Sequence, residues 1–283
     1  MKKECIPLTI LKYPLFVSDI DGTLINRVKK IPDANKQNLT TYRQHGGLFT
    51  LATGRSYIEA KHFIKELQIQ LPVILCNGAL IYDPSTDVLS PMATMERELV
   101  FDTLTELKKL EVLDIFVYTL DRVYATGISS HSRSAIEVKE FPLELIDTFD
   151  HIPQVPLIKL VAVAKEEAMQ PFRQWMRQVN YPGELVQSAD NYFELLPSNV
   201  SKGNAVQSLA EKLNLTIEQC AVIGDHLNDL SMVEVAGISA AVANAHSKLV
   251  QAARYVMPSN EDAGVAHFIR HHLLTTIPQA HGQ

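Results

Sequence analysis

The feature that most restricts how this chain can fold is a set of short, almost wholly apolar runs, each ending in a polar turn. Leu15–Ile20 (L-F-V-S-D-I), Leu48–Ala52, Val73–Cys76, Cys220–Gly224 and Ile238–Val242 share this form. A strand with one wet face alternates apolar and polar residues. A strand covered on both faces does not, and helices laid over a parallel sheet produce that kind of burial. The intervening segments supply the helices. Asp33–His45 follows Pro32 and stops at Gly46-Gly47, in keeping with the preference for Pro at a helix start and Gly just past its end. Ser56-Tyr57-Ile58-Glu59 has capping-box spacing and opens a helix running to Leu67. Lys202–Leu213 behind Ser201, Asn228–Val235, and short helices near Ser247–Ala253 and Asp262–His272 repeat the pattern toward the C-terminus.

The middle of the chain is organised differently. Glu96–Leu110 and Glu166–Val179 read as helices, Leu113–Thr119 and Arg122–Thr126 as a hairpin across Leu120-Asp121, and Leu157–Ala164, Gly183–Ser188 and Tyr192–Leu196 as further strands. Turn chemistry at Asp83-Pro84 and at Ser188–Asn191 brackets this stretch. The expected fold class is therefore α/β: a Rossmann-like, doubly wound parallel sheet core with an inserted α+β domain. The core is expected from residues 1–83 and 190–283 and the insert, a cap, from 84–189.

Size and charge narrow the function classes. The 283 residues suffice for one large or two ordinary domains. Lys and Arg number 26 against 32 Asp and Glu, a net charge of −6, which argues against a nucleic-acid partner. Cys5, Cys76 and Cys220 are too few for a disulfide scaffold, and the last two sit in apolar runs as buried small hydrophobes of a reducing compartment. Lys2 and Lys3 imitate a signal peptide, but Pro7, Thr9 and Lys12 break the apolar stretch that follows. No run approaches the roughly 18 apolar residues of a membrane span. A cytoplasmic protein with a small-molecule partner, no nucleic acid and no membrane is expected.

The chemistry-bearing residues fall where the strands end, the edge at which open α/β sheets bind ligands. Asp19-Ile20-Asp21-Gly22-Thr23-Leu24 closes the first run. Two carboxylates at i and i+2 share a face of an extended backbone, which suits a nucleophile beside an acid/base; alone, the pattern reads as an Asx turn closed by Gly22. Thr53-Gly54-Arg55 closes the second run just before the capped helix, combining a hydroxyl, a flexible residue and a helix N-terminus as an anion site. Asn77-Gly78-Ala79 closes the third. Lys202 opens a helix against the helix dipole, so an anionic neighbour is expected to hold it. Gly224-Asp225-His226-Leu227-Asn228-Asp229 brings two more carboxylates and an amide to the same edge. Oxygen ligands from Asp19 and Asp225 suit Mg²⁺.

In order, D-I-D-G-T-L, A-T-G-R, N-G-A, S-K-G-N-A and G-D-H-L-N-D-L-S-M resemble the haloacid dehalogenase superfamily of phosphatases over nearly the whole chain. The particular likeness is to the Cof-type subfamily, whose type 2 cap is inserted between the second and third motifs. Tyr192–Ala205 is similar to the family's run into the third motif, with Asn199 where Gly is usual; Asn tolerates the positive φ required there. Ala243 also replaces a usual Gly. The resemblance implies Asp19 as nucleophile, forming an aspartyl-phosphate, and Asp21 as general acid and base. It implies Thr53, Gly54 and Lys202 as phosphate-binding residues, and Mg²⁺ held by Asp19, the backbone carbonyl of Asp21, and Asp225. Asn228 and Asp229 would orient the metal shell and Lys202. Arg55, Asn77, Gly78 and His226 are candidate substrate contacts. The implied activity is hydrolysis of small phosphorylated metabolites such as a sugar phosphate, pyridoxal phosphate or flavin mononucleotide. A phosphotransferase or phosphomutase, or a phosphoacceptor or ligand-sensing module without turnover, are the alternatives. Tyr118, Tyr124, Arg133 and Lys159 are polar candidates of the cap. Trp175 reads as cap packing, and His267, His271 and His272 as a solvated helix face.

Overall fold

The computed structural model describes residues 11–110, 112–137 and 142–274. Lys2, Lys3, Cys5 and Pro7, and the tail Ile277–Gln283 expected to fray, lie outside the described residues. By proximity of their Cα atoms the residues form two compact units. One runs to Leu51 and takes up Val206–Asp225 and the chain from Met232 on; the other is Ala52–Ala205 with His226–Ser231.

The first unit is built on a five-stranded sheet in the order Tyr255–Met257, Ile238–Val242, Cys220–Gly224, Leu15–Ser18, Leu48–Leu51. Every pairing is parallel. Leu15, Phe16 and Val17 and all of Cys220–Ile223 are fully buried, as the lack of alternation requires. Phe16 packs against the rings of Tyr42, Phe49 and Phe268 at 6.0, 5.3 and 5.8 Å between centroids. Tyr42 comes from the helix Asp33–Gln44 and Phe268 from Gly264–Phe268. From Leu15–Ser18 the chain moves to one neighbour, Leu48–Leu51; from Cys220–Gly224 it moves outward in the other direction. The carboxyl ends of these two adjacent strands are therefore the topological switch point where such sheets bind ligands.

The second unit holds a six-stranded sheet in the order Glu184–Ala189, Tyr192–Leu196, Lys159–Val163, Asp114–Tyr118, Val123–Ala125, Leu143–Leu145. It is antiparallel apart from its last pair. Val100, Leu104 and Leu107 of the helix Arg97–Lys109, and Phe172 of Met169–Gln178, share a core with Leu160, Ala162, Phe193 and Leu195 of the sheet. Trp175 is partly buried against the same core, 5.4 Å from Phe172.

The third apolar run does not join the parallel sheet as a regular strand. Val73–Leu75 forms a separate antiparallel sheet with Leu80–Asp83 and Val88–Pro91, and a single parallel bridge, Ala52 to Ile74, carries the other direction. The cause lies in the next three residues. Cys76, Asn77 and Gly78 all have positive φ, at 48°, 56° and 103°, and this reversal turns the chain back on itself. A Cβ on Gly78 would also come within 2.5 Å of the Ser201 carbonyl.

Candidate active site

One set of candidate residues lies in the parallel unit, at the switch point. Asp19, 4% exposed, follows directly on Leu15–Ser18, and its N–H donates to the Ile223 carbonyl at 3.0 Å. The strand stops there. The Leu24 and Ile25 amides both return to the Ile20 carbonyl, so Asp21 sits in a turn and not on the extended backbone that i, i+2 spacing suggested. Its carboxylate pairs with Lys29 at 3.1 Å in an exposed setting, where an ion pair adds little stability. Gly22 has φ +74°, and a Cβ there would lie 2.2 Å from Asp225 Oδ2; only glycine lets this turn close on that carboxylate. The Gly22 carbonyl accepts from Asn244 Nδ2 at 2.8 Å.

Asp225 follows Cys220–Gly224 on the adjacent strand. Thr23 Oγ1 donates to its Oδ1 at 2.9 Å, and its carboxylate offers an oxygen within 4.8 Å of one from Asp19. Two carboxylates this close repel unless a cation lies between them. Their all-oxygen donor set is the kind that a small, hard divalent ion takes, so the residues fit Mg²⁺.

The other set lies in the second unit, which the chain enters at the Asp225–His226 peptide bond. Lys202 opens the helix Lys202–Lys212 and is fully buried, as is Asp229; Nζ meets Asp229 Oδ1 at 2.6 Å. This is the anionic neighbour that a lysine at a helix start calls for. Asp229 Oδ2 also accepts from the His226 N–H at 3.1 Å, and Ser231 Oγ accepts from the Gly203 N–H at 3.1 Å. The motif's turn and the start of the lysine helix are thereby held together.

Thr53, 1% exposed, is fixed by its N–H to Ile74 and by its carbonyl, which takes the Asn77 N–H, both at 2.9 Å. Its Oγ1 accepts from the Arg55 N–H at 3.2 Å. Arg55 is directed to the Glu59 carbonyl at 3.0 Å and lies over the Phe63 ring. Glu59 in turn accepts from the Ser56 N–H and hydroxyl, completing the helix start. Asn228 Nδ2 donates to Asn77 Oδ1 at 3.0 Å, while Asn77 Nδ2 and Asn228 Oδ1 are buried with no hydrogen-bond partner among the described residues. His226 Nδ1 lies 2.9 Å from the Gln187 carbonyl.

The positive φ foreseen at Asn199 is present, at 60°. Cys76 and Cys220 are free and buried, and burial pushes their thiols up to about 12 and about 11. Of the cap candidates, Arg133 is exposed, whereas Tyr118, Tyr124 and Lys159 are buried. The C-terminal histidines form a face that is only partly solvated. His271 is exposed, but His267 and His272 are half-buried, His272 stacks on Tyr255 at 4.0 Å, and burial lowers the pKa of both. Two groups escaped the sequence reading. Thr23 sits inside the quoted D-G-T-L run, so its spacing offered a signal. The pairing of Lys159 with Glu194 offered none, because it depends on strand register.

Three comparisons bear on this site. The family model described as haloacid dehalogenase-like hydrolase matches residues 16–269. YxeH of Bacillus subtilis (strain 168) is 30% identical over 278 residues, covering 91% of this chain and 97% of that protein. The 5-amino-6-(5-phospho-D-ribitylamino)uracil phosphatase YwtE of the same organism is 28% identical, covering 89% and 95%. Among solved structures, a haloacid dehalogenase-like hydrolase from B. subtilis superimposes with a TM-score of 0.82 at 27% identity, covering 92% of this chain and all of that one. No helix among the described residues is long and apolar enough to cross a membrane.

Proposed function

Because the chain belongs to the haloacid dehalogenase-like hydrolases and is a phosphatase of small phosphorylated molecules, we propose that it is a Mg²⁺-dependent phosphomonoesterase working through an aspartyl-phosphate on Asp19. The observation that carries this reading is the pair Asp19 and Asp225, with oxygens within 4.8 Å at the sheet's switch point and Thr23 donating to the second.

Asp19 attacks phosphorus and displaces the leaving alcohol, splitting the hydrolysis into two displacements. Asp21 gives its proton to the departing oxygen and then takes one from the attacking water. Asp19, the Asp21 carbonyl and Asp225 would hold the metal. Bound Mg²⁺ supplies the positive charge that lets an anionic carboxylate approach an anionic phosphate. Lys202 contributes a fixed cation, and the Thr53 hydroxyl and Gly54 amide contribute donors for the equatorial oxygens; phosphoryl transfer is governed by this positioning and charge neutralisation. Asp229 holds Lys202, and Asn228 holds Asn77. Residues 84–189 act as the cap that selects the organic part of the substrate. The name of the relative YwtE supports a phosphorylated polyol or a heteroaromatic ring with a phosphorylated side chain; sugar phosphates, pyridoxal phosphate and flavin mononucleotide remain in the same class.

The test is release of inorganic phosphate from a panel of such metabolites, with Mg²⁺ and with excess chelator. Activity is expected only with the metal, and Asp225→Ala should weaken metal affinity and turnover together. Full activity in chelator sinks the metal assignment. Transfer of the phosphoryl group within the substrate, with none released, points to a mutase.

A further inference from the structure

Lys159 is a buried cation that the proposed chemistry does not use. It lies on the central strand Lys159–Val163, only 3% exposed, and its Nζ meets Glu194 Oε2, itself buried, at 2.7 Å. The ammonium also lies 4.6 Å from the centre of the Tyr118 ring. Burial alone would lower the pKa of Lys159, but the Glu194 carboxylate outweighs it and raises the pKa, so the lysine is charged. A buried ion pair of this kind is poor evidence for stability, since apolar residues of similar size often serve as well. What such residues cannot supply is a directed donor, and Lys159 has one more hydrogen bond. Nζ donates to the Gly54 carbonyl at 2.8 Å, across 105 residues of sequence.

The consequence follows from the peptide plane. The Gly54 carbonyl and the Arg55 N–H belong to the same trans peptide and point in opposite directions. A cation gripping the carbonyl fixes that plane and polarises its N–H. This N–H donates to Thr53 Oγ1. With an acceptor lone pair engaged, the Thr53 hydroxyl keeps its own proton, for which no acceptor stands among the described residues. We propose that Lys159 and Glu194 are positioning residues: through the Gly54–Arg55 peptide they hold the Thr53 hydroxyl as a donor toward a phosphoryl oxygen. The inference rests on the assignment of Thr53 to phosphate binding.

The experiment is a double-mutant cycle read as the affinity of the Mg²⁺-loaded protein for inorganic phosphate, by calorimetry. Lys159→Met with Glu194→Met removes the pair without leaving one charge buried alone, and Thr53→Val removes the hydroxyl. In the Thr53 background, loss of the pair should weaken phosphate about 10-fold, the lower end expected for one hydrogen bond to a charged group. In the Thr53→Val background it should add no further loss. A general loosening of the fold would weaken both backgrounds alike; that result, or no loss in either, overturns the proposal while leaving Thr53 assigned. Unchanged phosphate affinity in Thr53→Val alone overturns the assignment of Thr53 and this inference with it. If the double replacement does not unfold cooperatively, Glu194→Gln, which keeps shape and the lysine donor, enters the same cycle. Its smaller loss must likewise vanish without the hydroxyl.

Discussion

Asp19 and Asp21 stand two positions apart in different surroundings. Asp19 is 4% exposed at the end of a buried strand, while the Asp21 side chain is 41% exposed and paired with Lys29. Carboxylates in unlike environments take unlike roles, and a proton shuttle needs access to water that a nucleophile does not. Asp19→Asn should abolish both turnover and phosphoenzyme. Asp21→Asn should lower turnover of natural esters by about 10²–10⁴-fold, the usual range for a general acid/base. With an activated aryl phosphate, whose leaving group needs little protonation, Asp21→Asn should still trap phosphate on the protein, detected by intact mass. Trapping by Asp19→Asn would exchange the roles. Both aspartates were legible because their motif is contiguous. An extended strand is not what places Asp21, since the strand ends at Ser18. The hydrogen bond from Thr23 to Asp225 spans 202 residues and was beyond a reading that works one segment at a time.

At the scale of elements, what the sequence made plain was what periodicity encodes. Four of the five apolar runs became parallel strands, Val73–Cys76 being the exception, and amphipathic stretches became helices within a few residues of their expected ends. Val88–Pro91 was missed because it is largely exposed and has no apolar face to announce it. Leu80–Asp83 was missed because three successive positive φ values, which no composition rule foresees, create its partner turn. The start of Lys202–Lys212 was legible through a conflict, a cation at the positive end of a helix dipole. Asp229 resolves that conflict, and the pair is fully buried. Asp229→Ala should therefore deprive a buried ammonium of its carboxylate and cost about 3–5 kcal/mol, whereas Lys202→Met with Asp229→Leu should cost less, the remainder coming from the His226 N–H that loses its acceptor. Urea unfolding measures both. Equal destabilisation by the single and double replacements would show that the pair matters for packing and not for charge. Neither variant should retain phosphatase activity, so stability and chemistry are separable at this one helix start.

At the scale of the whole molecule, the expected insert, residues 84–189, contains none of the five residues assigned to chemistry: Asp19, Asp21, Thr53, Lys202 and Asp225. As the proposed lid, this insert would exclude water and add specificity contacts, so its removal should separate reaction from recognition. Lys159 complicates the separation, because it lies within the insert and donates to the Gly54 carbonyl. Replacing 84–189 by a short Gly/Ser linker removes that donor and leaves Glu194 without its cation, so Glu194→Leu belongs in the same chain. The shortened protein must first show cooperative unfolding, since the apolar core of the six-stranded sheet loses most of its strands. If folded, it should still bind Mg²⁺, because Asp19, Asp225 and Thr23 lie together in the parallel unit. It should hydrolyse small activated aryl phosphates slowly, with phosphate affinity reduced as in the Lys159 and Glu194 replacement, and lose its ranking of larger metabolites. A folded, shortened chain that ranks those metabolites as the intact protein does would place specificity outside the insert. Arg55, Asn77 and His226 would then be the residues to replace next, starting with Asn77, whose buried Nδ2 has no hydrogen-bond partner among the described residues.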